Sequence, residues 1–344
     1  DPLTGELVDL NDGLRDLEHH VIRAVGVPAE RFTEDPLRLL RAVRFASQLG
    51  FTLEERTSEA IREKAAMISN VSAERIGEEM GRILLAPHPA HGLQQAWDLD
   101  LLARILPELL AMESVPQGPY GPRDALAHSL AALEGVRPLL DLRWAALLHD
   151  IGKPATYFGD QTGIHFYNHQ AVGAEMASAI LSRLRLDRRT TSTVVKPVHM
   201  HMRPLQYEGS WSDGAVRRLI IDAGPHLDKL LELARADLLA HDGHDLDTTL
   251  AHLAELKARY LSLAKSHDVP GMRSPLDGNE LMAIFKREPG PWLRQVKEHL
   301  LSHVLDGTLR QDNKAEAERL AKEYMAKTTP SEAPSSVDTA QLWS

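Results

Sequence analysis

From Pro36 onward, apolar residues return every three or four positions: Leu37, Leu40, Val43 and Phe45 first, then Ile76, Met80, Ile83 and Leu84. That spacing gathers each set on one side of a helix and predicts helices almost throughout. Only two stretches read as extended, residues 6–10 and 21–25. The Pro- and Gly-rich run VPQGPYGP at 115–122 breaks the pattern and marks a domain boundary. A helical block is expected to follow to about His241. The Asp/His/Gly cluster at 242–247 then turns the chain into a helix from Thr248 to about Ser266, and a loop at 269–278 leads to the C-terminal helices. From Thr328 the sequence TTPSEAPSSVDTAQLWS has the composition of a disordered tail. No internal repeat is visible. The expected fold class is all-α, a multi-domain helical body with a short β portion near its N-terminal end.

Composition supports this. The 344 residues are 43% hydrophobic but only 5% aromatic, which favours packed helices over a β-sandwich. That length accommodates two or three domains with cores of their own. The absence of cysteine excludes disulfides and thiolate metal sites and fits a cytoplasmic protein. No apolar run approaches the roughly 20 residues needed to span a bilayer, so no membrane partner is expected. A net charge of −10 argues against indiscriminate nucleic-acid binding. An RNA partner would need a local basic face, because phosphates are neutralised by nearby Lys and Arg rather than by the total.

Three stretches carry candidate chemistry. In EDPLR, residues 34–38, an acid and an arginine stand three apart, Asp35 and Arg38. On one helix face they would offer an accepting carboxylate beside a donating fork, an edge able to read a nucleobase. Pro36 suits the first helical turn. In the middle block, His128, the adjacent pair His149 and Asp150, and Asp237 fall on separate expected helices. Together they form a mixed N/O set for Mg2+, Mn2+, Ni2+, Co2+ or Zn2+. An HD dipeptide alone is a weak signal; here it lies in AALLHDIGKP (145–154), followed by IHFYNHQ (164–170) and VHMHMR (198–203). Near the C-terminus, SPLDGNEL (274–281) reads as a capped helix start. The Gly/Pro turn before Trp292 feeds another helix, and Lys286, Arg287, Arg294 and Lys297 make the region basic. Trp97, Trp144 and Trp211 read as core or cap residues.

Residues 1–51 resemble the class II tRNA nucleotidyltransferases, the CCA-adding enzymes and bacterial poly(A) polymerases, where the catalytic palm ends and the neck begins. Asp9, Gly13, Asp16 and Leu17 match the interdomain motif, with Asp12 where a second glycine is usual. RAVG (23–26) and Arg31-Phe32 match the lead-in to the nucleotide-selecting helix, and SAERI (72–76) with Glu79 resembles the next neck motif. The resemblance implies that Asp35 and Arg38 select CTP and ATP, and that transfer uses Mg2+. The palm's own motifs, which hold that Mg2+, do not occur in this chain, which opens about where the palm should be ending.

The middle block is similar to the HD phosphohydrolase superfamily. Carried across, His128, His149, Asp150 and Asp237 are metal ligands, with Asp150 a bridging ligand or a base. His169 and His201 line the site or hold a second ion, although spacing does not separate His201 from His199. Lys153 would hold a phosphate, and His165 packs at the pocket. The ions implied are Mg2+, Mn2+, Ni2+ or Co2+, and the substrates 2′,3′-cyclic nucleotides and phosphate ends of tRNA. The C-terminal cations would grip the tRNA acceptor and TΨC arm, and an HD domain can mediate a homodimer. The organisation expected is the end of the palm at 1–30, a neck at 31–115, an HD domain at 123–245, an RNA-binding region at 246–327 and a tail at 328–344. The competing expectation is a stand-alone HD phosphohydrolase that uses the neck as an RNA-binding scaffold.

Overall fold

The structure, a computed structural model, describes residues 3, 5, 7–116, 124–160, 163–241, 246–266 and 269–328. Most of the expected boundary at 115–122, most of the turn at 242–247 and the tail from 329 lie outside the described residues. Helices dominate, as the periodicity requires. Among the described residues, strands occur in two short pairs. Val21–Ile22 runs parallel to Thr52–Leu53, and Tyr157–Asp160 forms an antiparallel hairpin with Gly163–Phe166. The strand expected at 21–25 thus stops after two residues, and residues 7–10 form none. No described helix is long and apolar enough to cross a membrane.

Two compact units are present, Asp1–Glu208 with Pro225–Lys257, and Gly209–Gly224 with the chain from Ala258 onward. In the first, one hydrophobic cluster runs from Phe32 to Ala236 and draws on both the neck and the HD segments. The helix Leu37–Leu49 buries Leu39, Leu40, Val43 and Ala46. Phe45 falls off that stripe and stands 39% exposed, two residues past Val43 where the 3.6-residue period turns outward.

Close approach between helices explains two glycines. A Cβ on Gly77 of the helix Ala73–Leu84 would lie 2.4 Å from the Leu184 carbonyl, and one on Gly92 would lie 2.5 Å from the Ser47 side chain. The Arg44–Glu79 ion pair is buried in the same unit. The Arg44 guanidinium donates to both oxygens of Glu79 at 3.1 and 3.0 Å, and Arg82 adds a bond to Glu79 at 2.6 Å.

The second unit packs Leu276, Leu281, Trp292, Val296 and Leu300 against Ala317 and Ala321. The helix Gly278–Phe285 begins with a capping box, in which Asp277 and Glu280 each accept from the other's backbone N–H. The helix Pro291–Leu305 starts behind Gly290 with Pro at its first position, as read from the sequence. Trp292 is a core residue whose Nε1 donates to the Glu288 carbonyl at 2.9 Å. Trp144 is also core, while Trp97 and Trp211 are half-buried.

Candidate metal centre and nucleotide-facing helix

Five helical segments converge on one buried polar cluster. His128 comes from the helix Ala125–Glu134, whose start is capped by Asp124 accepting from the Ala127 N–H. His149 ends the helix Leu140–Leu148, with Asp150 next to it. His169 opens the helix His169–Arg183, His201 closes Arg188–Met200, and Asp237 sits inside Leu227–Leu239. All six are buried. The structure therefore brings together every metal ligand expected from the sequence. It also separates the two competing histidines, because His201 is buried in the cluster while His199 is exposed.

The side chains form two groups, His128–His149–Asp237 and Asp150–His169–His201. In the first, His128 Nε2 lies 2.9 Å from Asp237 Oδ1 and 3.2 Å from His149 Nε2. In the second, the Nε2 atoms of His169 and His201 are 3.2 Å apart. Asp150 touches both. Its Oδ2 is 3.2 Å from His149 Nε2, and its Oδ1 is 3.6 Å from His169 Nε2 and 3.8 Å from His201 Nε2.

Three of the rings are oriented alike. Nδ1 of His149, His169 and His201 bonds the carbonyl three residues earlier, at Ala146, Phe166 and Val198, at 2.7–2.8 Å. A carbonyl only accepts, so each Nδ1 carries a hydrogen and each Nε2 turns inward. Inward Nε2 atoms, two carboxylates and burial make a place for positive charge, and this donor set fits a divalent cation.

The electrostatics agree. Burial alone would raise the Asp150 and Asp237 carboxyls. The positive charge of His149, with Lys153 beside Asp150 and hydrogen bonds from His128 and His149 to Asp237, instead holds both well below the usual carboxylate range. Burial pushes His201 down to about 4, helped by the charge on His149. Burial works the same way on His149, but Asp150 and Asp237 outweigh it and push that ring up to about 10.

Two surrounding residues have clear jobs. The Lys153 ammonium lies 2.6 Å from Asp150 Oδ2 and is itself buried, so it faces the carboxylate rather than open space. A Cβ on Gly152 would meet the His169 carbonyl at 2.2 Å, so only glycine lets the two ligand-bearing segments close together. His241 was not singled out by the sequence reading. Its ring lies 4.1 Å from that of His128, and its Nδ1 bonds the Asp237 carbonyl at 3.0 Å. Its i,i+4 spacing from Asp237 was the available signal. His165 is on the hairpin, 3.4 Å from Asp160 and stacked on Tyr167.

In the neck, Asp35 and Arg38 are close in sequence but not two positions on one helix face. Asp35 is extended, at φ −145° and ψ 100°, between the helices Pro28–Glu34 and Leu37–Leu49. Pro36 imposes this, because its ring disfavours the helical conformation in the residue before it. Asp35 accepts from the Leu37 N–H at 3.2 Å and pairs with Arg75 at 3.5 Å. Arg38 donates instead to Glu34 at 2.7 Å and to the Arg31 carbonyl at 3.0 Å. A cavity of about 270 Å³ opens beside Arg31, Phe32, Arg38, Arg41 and Phe45. The SAERI motif thus supplies Arg75 to Asp35, and Glu79 is the buried partner of Arg44.

The C-terminal cations do not converge. Lys286 ends its helix in the left-handed region, at φ 47°. The Arg287 guanidinium lies 5.5 Å over the Trp292 ring. Arg294 is paired with Glu298 at 2.7 Å, and with Lys297 it lines a cavity of about 590 Å³ that Arg287 does not reach.

A mostly helical body with a buried His/Asp cluster of this kind has the make-up of an HD domain, and comparison with known proteins agrees. A family described as HD domain matches residues 125–322. One described as "Probable RNA and SrmB- binding site of polymerase A" matches residues 50–112. The chain is 35% identical over 303 residues to an A-adding tRNA nucleotidyltransferase of Deinococcus radiodurans, covering 84% of this chain and 68% of that protein. It is 33% identical over 336 residues to a CC-adding tRNA nucleotidyltransferase of Thermus thermophilus, covering 92% and 75%. The fold is similar to that of the Bacillus stearothermophilus CCA-adding enzyme solved with CTP, with a TM-score of 0.61 and 20% identity, over 93% of this chain and 69% of that one. The chain belongs to the class II tRNA nucleotidyltransferases and carries an HD domain.

Proposed function

We propose that this chain is the body of an enzyme that adds CMP or AMP to the 3′ end of tRNA, and that its HD centre hydrolyses phosphoesters at such ends. The first half rests on the two relatives, one named for adding A and one for adding CC. Asp35 and Arg38 at the mouth of the neck helix would read CTP and ATP. Lys286, Arg287, Arg294 and Lys297 would contact the acceptor and TΨC arm. A homodimer through the HD domain belongs to the same reading.

One observation carries the second half: Asp150 turns one oxygen to each histidine group. A carboxylate so placed could contribute to holding an ion in either group. His128, His149 and Asp237 would hold one ion, His169 and His201 the other, and Asp150 both. The nitrogen-rich set favours Mn2+, Co2+ or Ni2+ over Mg2+. A bound ion supplies charge for the phosphate oxygens and lowers the pKa of a water.

The chain's own residues arrange the rest. The carbonyl bonds to Nδ1 fix the histidine rings, and Lys153 holds the Asp150 carboxylate ionised and in place. So held, Asp150 would serve as a ligand to the ions more readily than as a base. The test is hydrolysis of 2′,3′-cyclic AMP after metal stripping and readdition of Mg2+, Mn2+, Ni2+ or Co2+, with Asp150→Ala as control. Metal-dependent turnover lost in Asp150→Ala is expected; turnover by the variant, or none by the wild type with any ion, would sink the hydrolase reading.

A further inference from the structure

The histidines of the buried cluster are not held alike. His149, His169 and His201 stand at helix ends, where Nδ1 reaches the carbonyl three residues back. His128 lies inside the helix Ala125–Glu134, whose carbonyls are taken by the helix's own N–H groups. Its Nε2 faces the cluster, 2.9 Å from Asp237 Oδ1 and 3.2 Å from His149 Nε2. Its Nδ1 is buried, with no hydrogen-bond partner among the described residues. No carbonyl fixes this ring. Two other rings pack against it instead, His149 at 5.2 Å and His241 at 4.1 Å between centroids. His241 stands four residues past Asp237, beyond the end of the helix Leu227–Leu239, and belongs to neither ligand group. Its Nδ1–H donates to the Asp237 carbonyl at 3.0 Å, while the Asp237 carboxylate holds His128. One residue thus anchors both rings. The His241 side chain is 33% exposed and that of His128 is fully buried, so the outer ring covers the inner one.

We propose that His241 is a positioning residue for His128, whose ring it holds by packing where a backbone carbonyl holds the other three. This rests on the metal-binding reading of the centre above. An imidazole offers its nitrogen to an ion along one direction only, so a ligand ring free to turn must be ordered again each time an ion binds. Groups that orient a ligand without touching the ion remove that cost, and losing one weakens affinity about tenfold to a hundredfold. For His149, His169 and His201 the orienting group is the chain itself, which no side-chain substitution removes. For His128 it is a single side chain at the rim of the centre. The ion held by His128, His149 and Asp237 therefore depends on residue 241, and the ion of the second group does not.

The test uses the full chain as wild type, His241→Ala, His241→Phe and His241→Asn, with melting temperature to verify the fold. In one arm the metal-stripped proteins are titrated with Co2+, whose visible absorption reports its ligands. His241→Ala should weaken one Co2+ site about tenfold to a hundredfold and leave the other as it was. His241→Phe keeps a ring against His128 and should restore most of the loss. His241→Asn keeps a donor for the Asp237 carbonyl without the ring and should restore little. Wild-type binding by His241→Ala, or no restoration by His241→Phe, would overturn the proposal. In the other arm, proton–nitrogen spectra of the metal-free proteins carrying 15N-histidine follow the His128 ring. Its signals should be sharp in the wild type and in His241→Phe, and broadened or split in His241→Ala. Unchanged signals in His241→Ala would overturn the proposal and leave the metal-binding reading standing. A wild type that binds no Co2+ would overturn that reading, and the metal-free spectra would then decide the positioning of His128 alone.

Discussion

His169 and His201 aim their Nε2 atoms at each other across 3.2 Å, although each ring has already given its Nδ1 hydrogen to a carbonyl. Two lone pairs at that distance repel unless a positive charge sits with them. The protein thus fixes the place of the charge in advance.

Metal content tests this first. Because Asp150 faces both groups, Asp150→Asn should lose most of the metal. His201→Ala should keep about one ion of two, held by His128, His149 and Asp237. Elemental analysis after dialysis against the chosen ion reads the difference. Full loading of Asp150→Asn would show that the two groups do not share it.

Proton release follows from the same geometry. Without an ion, His149 is protonated at neutral pH, since its pKa is pushed up to about 10. A cation must displace that proton, so binding at pH 7 should release about one proton per chain. Titration calorimetry in two buffers of different ionisation enthalpy measures it, and a release of zero would contradict the assignment.

The metal-free protein should have a stability maximum near pH 6.5. His201 is depressed to about 4, so its contribution is complete above the unfolded value near 6.5 and is lost as pH falls through 4. His149 is raised to about 10, so its contribution is complete below 6.5 and is lost as pH rises through 10. Thermal melts of the chelated protein from pH 4 to pH 10 should show decline on both sides. A steady rise across that range would be the wrong sign.

Glu79→Ala should destabilise by about 3–5 kcal/mol, because it leaves the buried Arg44 guanidinium without its carboxylate. Replacing both, as Arg44→Met with Glu79→Leu, should recover most of that. Urea unfolding of the wild type and the two variants makes the comparison, and equal losses in the single and double variants would rule out the pairing as the cause.

Gly152→Ala should act on the centre through packing. The added methyl would overlap the His169 carbonyl, and relieving the overlap moves a ligand. A loss of about 1–3 kcal/mol is expected, together with reduced metal content. Destabilisation with full metal content would place the strain elsewhere.

Much of this was legible in the sequence because it is local. Helical period, the Asp277–Glu280 box and the Gly290-Pro291 start need only neighbouring residues. The six His and Asp residues that cluster together were legible as candidates through their order along the chain. What escaped depends on distant partners. Nothing near Lys153 says that its ammonium meets Asp150 instead of open space, and nothing near Glu79 points to Arg44. The reading of Asp35 and Arg38 as one helix face failed for a local reason, since Pro36 holds Asp35 out of the helix. Choosing His201 over His199 required knowing which side of the helix faces inward.

The single cluster from Phe32 to Ala236 joins the neck and the HD helices in one hydrophobic core. Gly77 makes room for the Leu184 carbonyl, and Gly81 lies beneath Leu140. A lineage with no use for the buried His/Asp centre could silence Asp150 and the histidines by substitution. It could not discard the helices that carry them without unravelling the neck. Retired chemistry would survive here as scaffolding, and a dead centre in a descendant would still be an indispensable one.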